Sequence, residues 1–505
     1  MFLHRNTSLN SNLVGTKLNC LINLVQNTSS YPAVKQFTCL PTLSRRDLLT
    51  FINPYNEKKL KPILCSLFTK YGSIFKLRVP GSRYDQVFIS QPEDVRCLLQ
   101  SDGSMPITAG FDFFVAYRRR MMKDQNLKSG GLVGAHGVQW YQVRSLVQQD
   151  MMRPKSAMFY IDSIENISEQ LNDVIETLVD AKSREVDDIT EACYRWALES
   201  ITSIFLNSRL GCLDKTPSED GVALIQCSKV ILGSDMYKLA TRPPIWKYFP
   251  VPYYTRFDNA ARKVTEICSK YVMKAKEGIS METKKTEDMS VLEKLIKASE
   301  DNDDIPVVMA VDAMIAGIDT TGNAATFLLY HLAANKQQQE ALFKEIQEVI
   351  GNNPVTEAKL KKMKYLRACC QESHRLLPVA SGIGRRTQRV ITLSGYEIPR
   401  NTTVVYISLI SNADPQLFTN QTKFIPERWL RGSPEHHHAH SYANVTFGHG
   451  PRMCVGRRFA ELELSLLAIN ILQRFRLEYH HQALDLATSF TNKPDRKVKI
   501  RFVKR

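Results

Sequence analysis

Cys454 lies in the segment Phe447-Gly448-His449-Gly450-Pro451-Arg452-Met453-Cys454-Val455-Gly456, followed at once by a helical run from Arg457 to Gln473. A cysteine at a helix start meets free backbone N–H groups and the positive end of the helix dipole, and both favour thiolate over thiol. The glycines at 448, 450 and 456 let the backbone approach a flat ligand where a side chain would collide. A thiolate in that position can bind an iron, push electron density onto it and favour cleavage of an O–O bond. For a cysteine taken alone, an inert residue buried in a Gly-rich turn is the simpler reading.

Other segments carry chemistry in the same sense. Ala316-Gly317-Ile318-Asp319-Thr320-Thr321 falls within the longest helical stretch, where Gly317 and a Thr hydroxyl bonded back to the preceding turn would loosen the helix and open a groove. In Glu372-Ser373-His374-Arg375 an acid and a base stand three apart on a helix, a common pairing worth only a few tenths of a kcal/mol. Trp140 and Arg144 share one helical face. The tract His436-His437-His438-Ala439-His440 has no neighbouring carboxylate or thiol cluster and reads as a solvated loop, and Cys369-Cys370 reads as helix-core packing.

In this order the segments resemble the signatures of the cytochrome P-450 family, over roughly residues 60 to 505. The resemblance implies a mainly α protein with a small β region, haem b lying between the long oxygen-binding helix and the helix after the cysteine loop. Cys454 would be the axial thiolate ligand. Glu372 and Arg375, joined by Arg428 of Pro426-Glu427-Arg428-Trp429, would form an ion-pair network that scaffolds the proximal haem side. Trp140, Arg144, Arg452 and Arg385 match propionate-binding positions, although a one-residue shift would exchange Arg385 for Arg386. Asp319 and Thr320 match the acid and alcohol that relay protons. The implied reaction inserts one atom of O2 into a lipophilic substrate. A steroid of ecdysteroid type is favoured, a foreign compound under detoxification is the alternative, and Asp319-Thr320 argues against a haem-thiolate isomerase. A non-catalytic haem-binding protein is the remaining rival.

Gly456-Arg457-Arg458-Phe459-Ala460-Glu461-Leu462-Glu463 continues as the mitochondrial branch of the family does, where paired arginines help dock an acidic ferredoxin. The chain departs from that pattern by having Gln371 and Arg367 where the family often has lysines, so docking would rest on Arg367, Arg457 and Arg458. No flavin or nicotinamide fingerprint is present, so electrons must come from the ferredoxin and its NADPH-dependent reductase. From Met1 to Arg46 there is no acidic residue while basic, Ser, Thr and Asn residues abound, the profile of a mitochondrial transit peptide over residues 1–46. Residues 47–505 then form a single domain. The expected location is the matrix side of the inner membrane, held peripherally.

These residues need positioning by helices that apolar periodicity predicts over Val143–Met152, Ile164–Ala181, Ile189–Phe205, Ala260–Glu277, Ile305–Asn335 and Gln337–Ile350. Alternating runs predict strands over Tyr71–Val79, Gln86–Ser90, Ile391–Ile398 and Thr403–Ile407. A chain of 505 residues, 43% hydrophobic and 23% charged, can bury a large core and a planar cofactor. Its eleven cysteines follow neither a zinc nor a disulfide spacing. The net charge of +16 comes without a nucleic-acid motif and fits an acidic protein partner. Phe113–Val115, Pro243–Pro252, Met309–Ile315 and Leu377–Ile383 are the expected apolar lining, and the aromatic segment Trp246–Pro250 could dip into a membrane surface.

Overall fold

Apolar residues three and four apart drive this chain into helices wherever one face can be buried. The structure is a computed structural model that describes residues 34–52, 60–79, 84–109, 112–124, 130–133, 135–281, 289–299, 304–436, 440–488 and 490–505. The helices that build the site are, in chain order, α1 (Gly137–Met151), α2 (Ile161–Leu178), α3 (Ile189–Phe205), α4 (Glu219–Ile231), α5 (Pro252–Met281), α6 (Asp304–Ala334), α7 (Glu357–Lys362), α8 (Lys364–Leu376) and α9 (Arg457–Arg474). The predicted runs coincide with α1, α2, α3, α5, α6 and α9 apart from their ends. Sequence periodicity missed α4 and the helix Asp112–Asp124, whose apolar residues are diluted by charge.

α6 is the axis of the core and packs against α3, α4, α5, α8 and α9. Among the described residues it is the helix long and apolar enough to cross a bilayer, yet most of it is buried inside the protein. Two glycines set its approach to α3. A Cβ on Gly317 would lie 2.9 Å from Ile201 Cγ1, and one on Gly322 would lie 3.1 Å from the Tyr194 ring. Gly317 therefore serves close helix packing, and α6 stays helical throughout rather than loosening there.

A five-stranded sheet flanks the helices in the order β1 (Ile74–Leu77), β2 (Gln86–Ile89), β8 (Thr403–Ile407), β5 (Gly382–Arg386), β3 (Ile107–Thr108). Within this sheet β2 and β8 pair in parallel, and the other neighbouring strands pair antiparallel. The run Ile391–Ile398 is a hairpin, β6 (Ile391–Leu393) and β7 (Tyr396–Ile398), turned by Ser394 at φ 46° and Gly395 at φ 78°. Two positive-φ residues are what a two-residue hairpin turn demands. The C-terminal region adds a sheet of β4 (Glu185–Val186), β12 (Ile500–Lys504) and β9 (Phe475–Glu478), and a hairpin of β10 (Leu486–Thr488) and β11 (Asn492–Pro494).

Residues 1–33 lie outside the described residues. Residues 34–46 pack on the body: the backbones of Lys35 and Gly395 and of Leu43 and Lys76 are hydrogen-bonded, and Leu40 is buried.

Glu463 of α9 is buried, and its Oε1 has no partner among the described residues. Burial pushes its carboxyl from an ordinary 4.5 up to about 8, so the native state holds a proton that the unfolded chain releases. That contribution is fully present in acid and is lost as pH rises through about 8. Thermal denaturation should therefore show Glu463→Gln gaining melting temperature relative to the native chain as pH rises. A difference independent of pH would contradict the assignment.

Candidate active site

The Cys454 segment is a compact loop closed by its own backbone, with Cys454 N donating to Phe447 O at 2.9 Å and Met453 N to Gly450 O at 2.9 Å. Gly448 and Gly450 take φ of +71° and +76°, conformations that L side chains rarely adopt. Gly456 differs: its φ is ordinary, and a Cβ there would lie 4.0 Å from the Cys454 sulfur. The sulfur accepts the backbone N–H groups of Gly456 and Arg457 at the start of α9. Those donors, with the charges of Arg144 and Arg457, favour thiolate, yet desolvation outweighs them and the free thiol is pushed up. The helix start alone therefore does not make the thiolate that the sequence suggested. A bound metal cation reverses that balance. The thiol is accessible although protein surrounds it densely enough for desolvation to dominate, so it faces an internal recess.

Above the loop three guanidinium groups converge. Arg452 lies 3.8 Å over the Trp140 ring and donates to the carbonyls of Pro106 (2.9 Å), Leu132 (3.2 Å) and Ala135 (3.0 Å). Arg144 donates to Met453 O at 2.9 Å, and its buried Nε has no partner among the described residues. Arg385 pairs with Asp102 at 2.7 Å. Desolvation first, then repulsion from Arg385 and Arg144, pushes Arg452 down to about 9, with Asp102 opposing. Two buried cations, Arg144 and Arg385, repel the half-buried Arg452, and with one carboxylate among them they form a site that lacks anions. The neighbouring Arg386 turns to the other side of β5 and lies 4.0 Å over the Tyr84 ring, as strand alternation requires, so Arg385 is the one that joins the cluster.

Along α6 most residues are buried, but Ala316 is exposed and Ala313 and Thr320 are half-exposed. Spaced i, i+3 and i+7, they form an accessible stripe along one side of α6. Thr320 Oγ1 donates to Ala316 O at 2.6 Å, the back-bond expected from the sequence. Asp319 points away, towards α3, where the Tyr194 hydroxyl donates to its Oδ1 at 2.5 Å. Of the expected lining, Phe113 and Phe114 pack instead into an aromatic cluster with Tyr117 and Phe257, and Met309 and Met314 are buried. Ala380, Ser381 and Ile383 remain accessible.

Glu372 is fully buried and accepts two bonds from Arg375 (2.8 and 2.9 Å), one from Arg428 (2.9 Å), one from Ile425 N (3.0 Å) and one from the Trp429 indole (2.9 Å). Arg375 and Arg428 spend further donors on the carbonyls of Asn412, Gln421 and Thr419. No local pattern pointed to the Trp429 bond. α8 reaches the cysteine loop through His374, whose ring stands edge-on to Phe447 at 5.8 Å.

The basic surface is less free than its composition suggests. Arg457 and Arg458 share Glu461, at 2.7 and 3.5 Å, and Arg367 donates to Lys361 O and Met363 O. Lys362 and Lys364 are exposed, and Lys364 lies on the Arg367 and Gln371 face of α8. Spacing within that helix could have revealed Lys364. In the histidine tract, residues 437–439 lie outside the described residues; His436 Nδ1 is 3.1 Å from Arg428 O, and His440 faces Glu93 at 3.2 Å.

The cytochrome P-450 family profile matches residues 48–498. The chain belongs to the cytochrome P-450 family. Its relatives include "Cytochrome P-450 12b1, mitochondrial" of Drosophila acanthoptera, 31% identical over 422 residues, covering 81% of this chain and 78% of that protein. "Cytochrome P-450 CYP12A2" of Musca domestica is 29% identical over 503 residues, covering 95% and 93%. "Probable cytochrome P-450 301a1, mitochondrial" of Drosophila melanogaster is 29% identical over 481 residues, covering 93% and 86%. Cytochromes P-450 are monooxygenases that bind haem b through a cysteine thiolate. The recess fits that group: an accessible sulfur with backbone donors lies at one side, and an anion-poor arginine cluster at another.

Removing one partner from a buried ion network leaves uncompensated charge and costs about 3–5 kcal/mol. Glu372→Ala should lose about that much in denaturant unfolding, if it folds at all, and Glu372→Gln should lose less. A loss under about 1 kcal/mol for Glu372→Ala would show that the network does not scaffold the loop.

Proposed function

We propose that this cytochrome P-450 holds haem iron through Cys454 and hydroxylates a flat, lipophilic, steroid-like substrate, with electrons from an acidic mitochondrial ferredoxin and its reductase. The carrying observation is an accessible Cys454 sulfur beside an anion-poor arginine cluster; the accessible Ala313–Ala316–Thr320 stripe of α6 supports the reading. Arg452, Arg144 and Arg385, with Trp140, would hold the propionates by charge-assisted bonds. When bound, the haem supplies oxygen activation, aided by electron donation from the thiolate. Thr320 keeps a hydroxyl at the recess wall, and the small alanines leave room for a rigid ring system.

Supporting the partner are the exposed Lys362 and Lys364 near Arg367 in the chain, the arginines Arg457 and Arg458 at the start of α9, and mitochondrial labels on relatives. The matrix face of the inner membrane is the proposed location. Tyr248 and Phe249 are exposed at 79% and 67% and would touch the membrane, whereas Trp246 is stacked on Tyr254 at 5.2 Å and stays with the protein. The packing of residues 34–46 on the body supports a shorter leader than the 46 residues whose composition suggests one.

Reconstitution with an acidic ferredoxin, its reductase and NADPH should give hydroxylated sterol, at a rate that falls as salt shortens the Debye length below about 10 Å. Thr320→Ala should keep the haem but lose about tenfold or more of product per oxygen consumed. Unchanged coupling in that variant would remove Thr320 from the reaction, and oxygen uptake that the ferredoxin does not stimulate would contradict the donor.

A further inference from the structure

Arg144, Arg385 and Arg452 bring three positive charges to the edge of the recess, and the two propionates of haem b can match only two of them. A charge left unmatched in a protein interior is costly. The chain supplies its own answer in Asp102, the C-cap residue of the helix Pro92–Ser101. Asp102 Oδ2 accepts Arg385 Nε at 2.7 Å, and the two side chains are 6% and 4% exposed. A guanidinium does not give up its proton in a protein, so the pair stays ionic. Burial pushes the Asp102 carboxyl up, while the charges of Arg385 and Arg452 hold it down.

The segment that follows Asp102 serves the same cluster. Pro106 O accepts Arg452 Nε at 2.9 Å, and Thr108 of β3 pairs with Arg385 of β5. Arg385 Nη1 donates to Gly384 O at 3.0 Å, which leaves Nη2 for a further acceptor. The remaining charged or titratable groups nearby do not alter the count. Arg452 Nη2 lies 3.3 Å from His136 Nδ1, and because a guanidinium only donates, that nitrogen accepts and His136 is neutral. Arg457 is paired with Glu461 at 2.7 Å, and Arg386 lies over Tyr84 on the other side of β5.

We propose that Asp102 is a built-in counterion of the haem edge, a positioning residue that holds Arg385 and adds the third negative charge to those of the two propionates. Arg144 and Arg452 are then left to the propionates, and with haem in place the edge is neutral. Loss of Asp102 leaves one positive charge in excess, which favours ferrous over ferric iron. This rests on the haem-thiolate reading above, and its test does not depend on turnover.

Anaerobic reductive titration of the substrate-free holoenzyme reads that charge as the midpoint potential of the iron. Asp102→Asn keeps the shape of the side chain and should shift the midpoint to more positive potential. Arg385→Gln removes the opposite charge and should shift it to more negative potential. The double variant regains the charge balance and should return close to the native midpoint, which keeps the claim testable where Asp102→Asn alone does not fold. A merely structural role would loosen the haem edge in both single variants and move them in the same direction, so shifts of one sign would overturn the proposal. An unmoved midpoint in Asp102→Asn, or a double variant displaced as far as a single one, would overturn it as well. Native protein that takes up no haem would instead overturn the haem reading itself, so the two failures are told apart.

Discussion

One carboxylate, Glu372, holds together the side of the protein beneath the cysteine loop. It is fully buried and accepts bonds from two guanidinium groups, an indole and a backbone N–H. Two cations against one anion would be unstable in the interior, and the excess is spread over carbonyl oxygens of the segment 412–423. That binds an otherwise irregular stretch of chain to α8 through its backbone. α8 in turn abuts Phe447, where the cysteine loop begins. The position of the sulfur is therefore fixed from a charge buried outside the recess.

The recess itself is defined by what it lacks. Its sulfur has donors but no covering side chain, and its arginines repel one another with Asp102 as their only named carboxylate. The second feature alone would destabilise a folded protein. Together they describe a space prepared for a group that carries a metal cation at its centre and carboxylates at its edge. α6 adds an accessible stripe of small residues and turns Asp319 towards α3.

Much of this could be read from residues. The cysteine loop, α3 and α9 follow from glycine placement and apolar periodicity, which are local signals. Arg385 could be separated from Arg386 only once β5 gave them opposite faces. The roles of Gly317, Tyr194 and Trp429 depend on contacts between segments far apart in the chain, which no local pattern encodes. The expected lining Phe113–Phe114 went wrong for a similar reason: an apolar run shows that residues will be buried but does not say whether they face a cavity or each other.

The claim on which the account turns is that Cys454 is the thiolate ligand of the haem iron. The most direct test is the absorption spectrum of the purified, dithionite-reduced protein under carbon monoxide, recorded for the native chain and for Cys454→His. A strongly red-shifted Soret band in the native protein, absent from the variant, is the expected result. Bound haem that lacks this band in the native chain, or folded protein that takes up no haem, would contradict the claim.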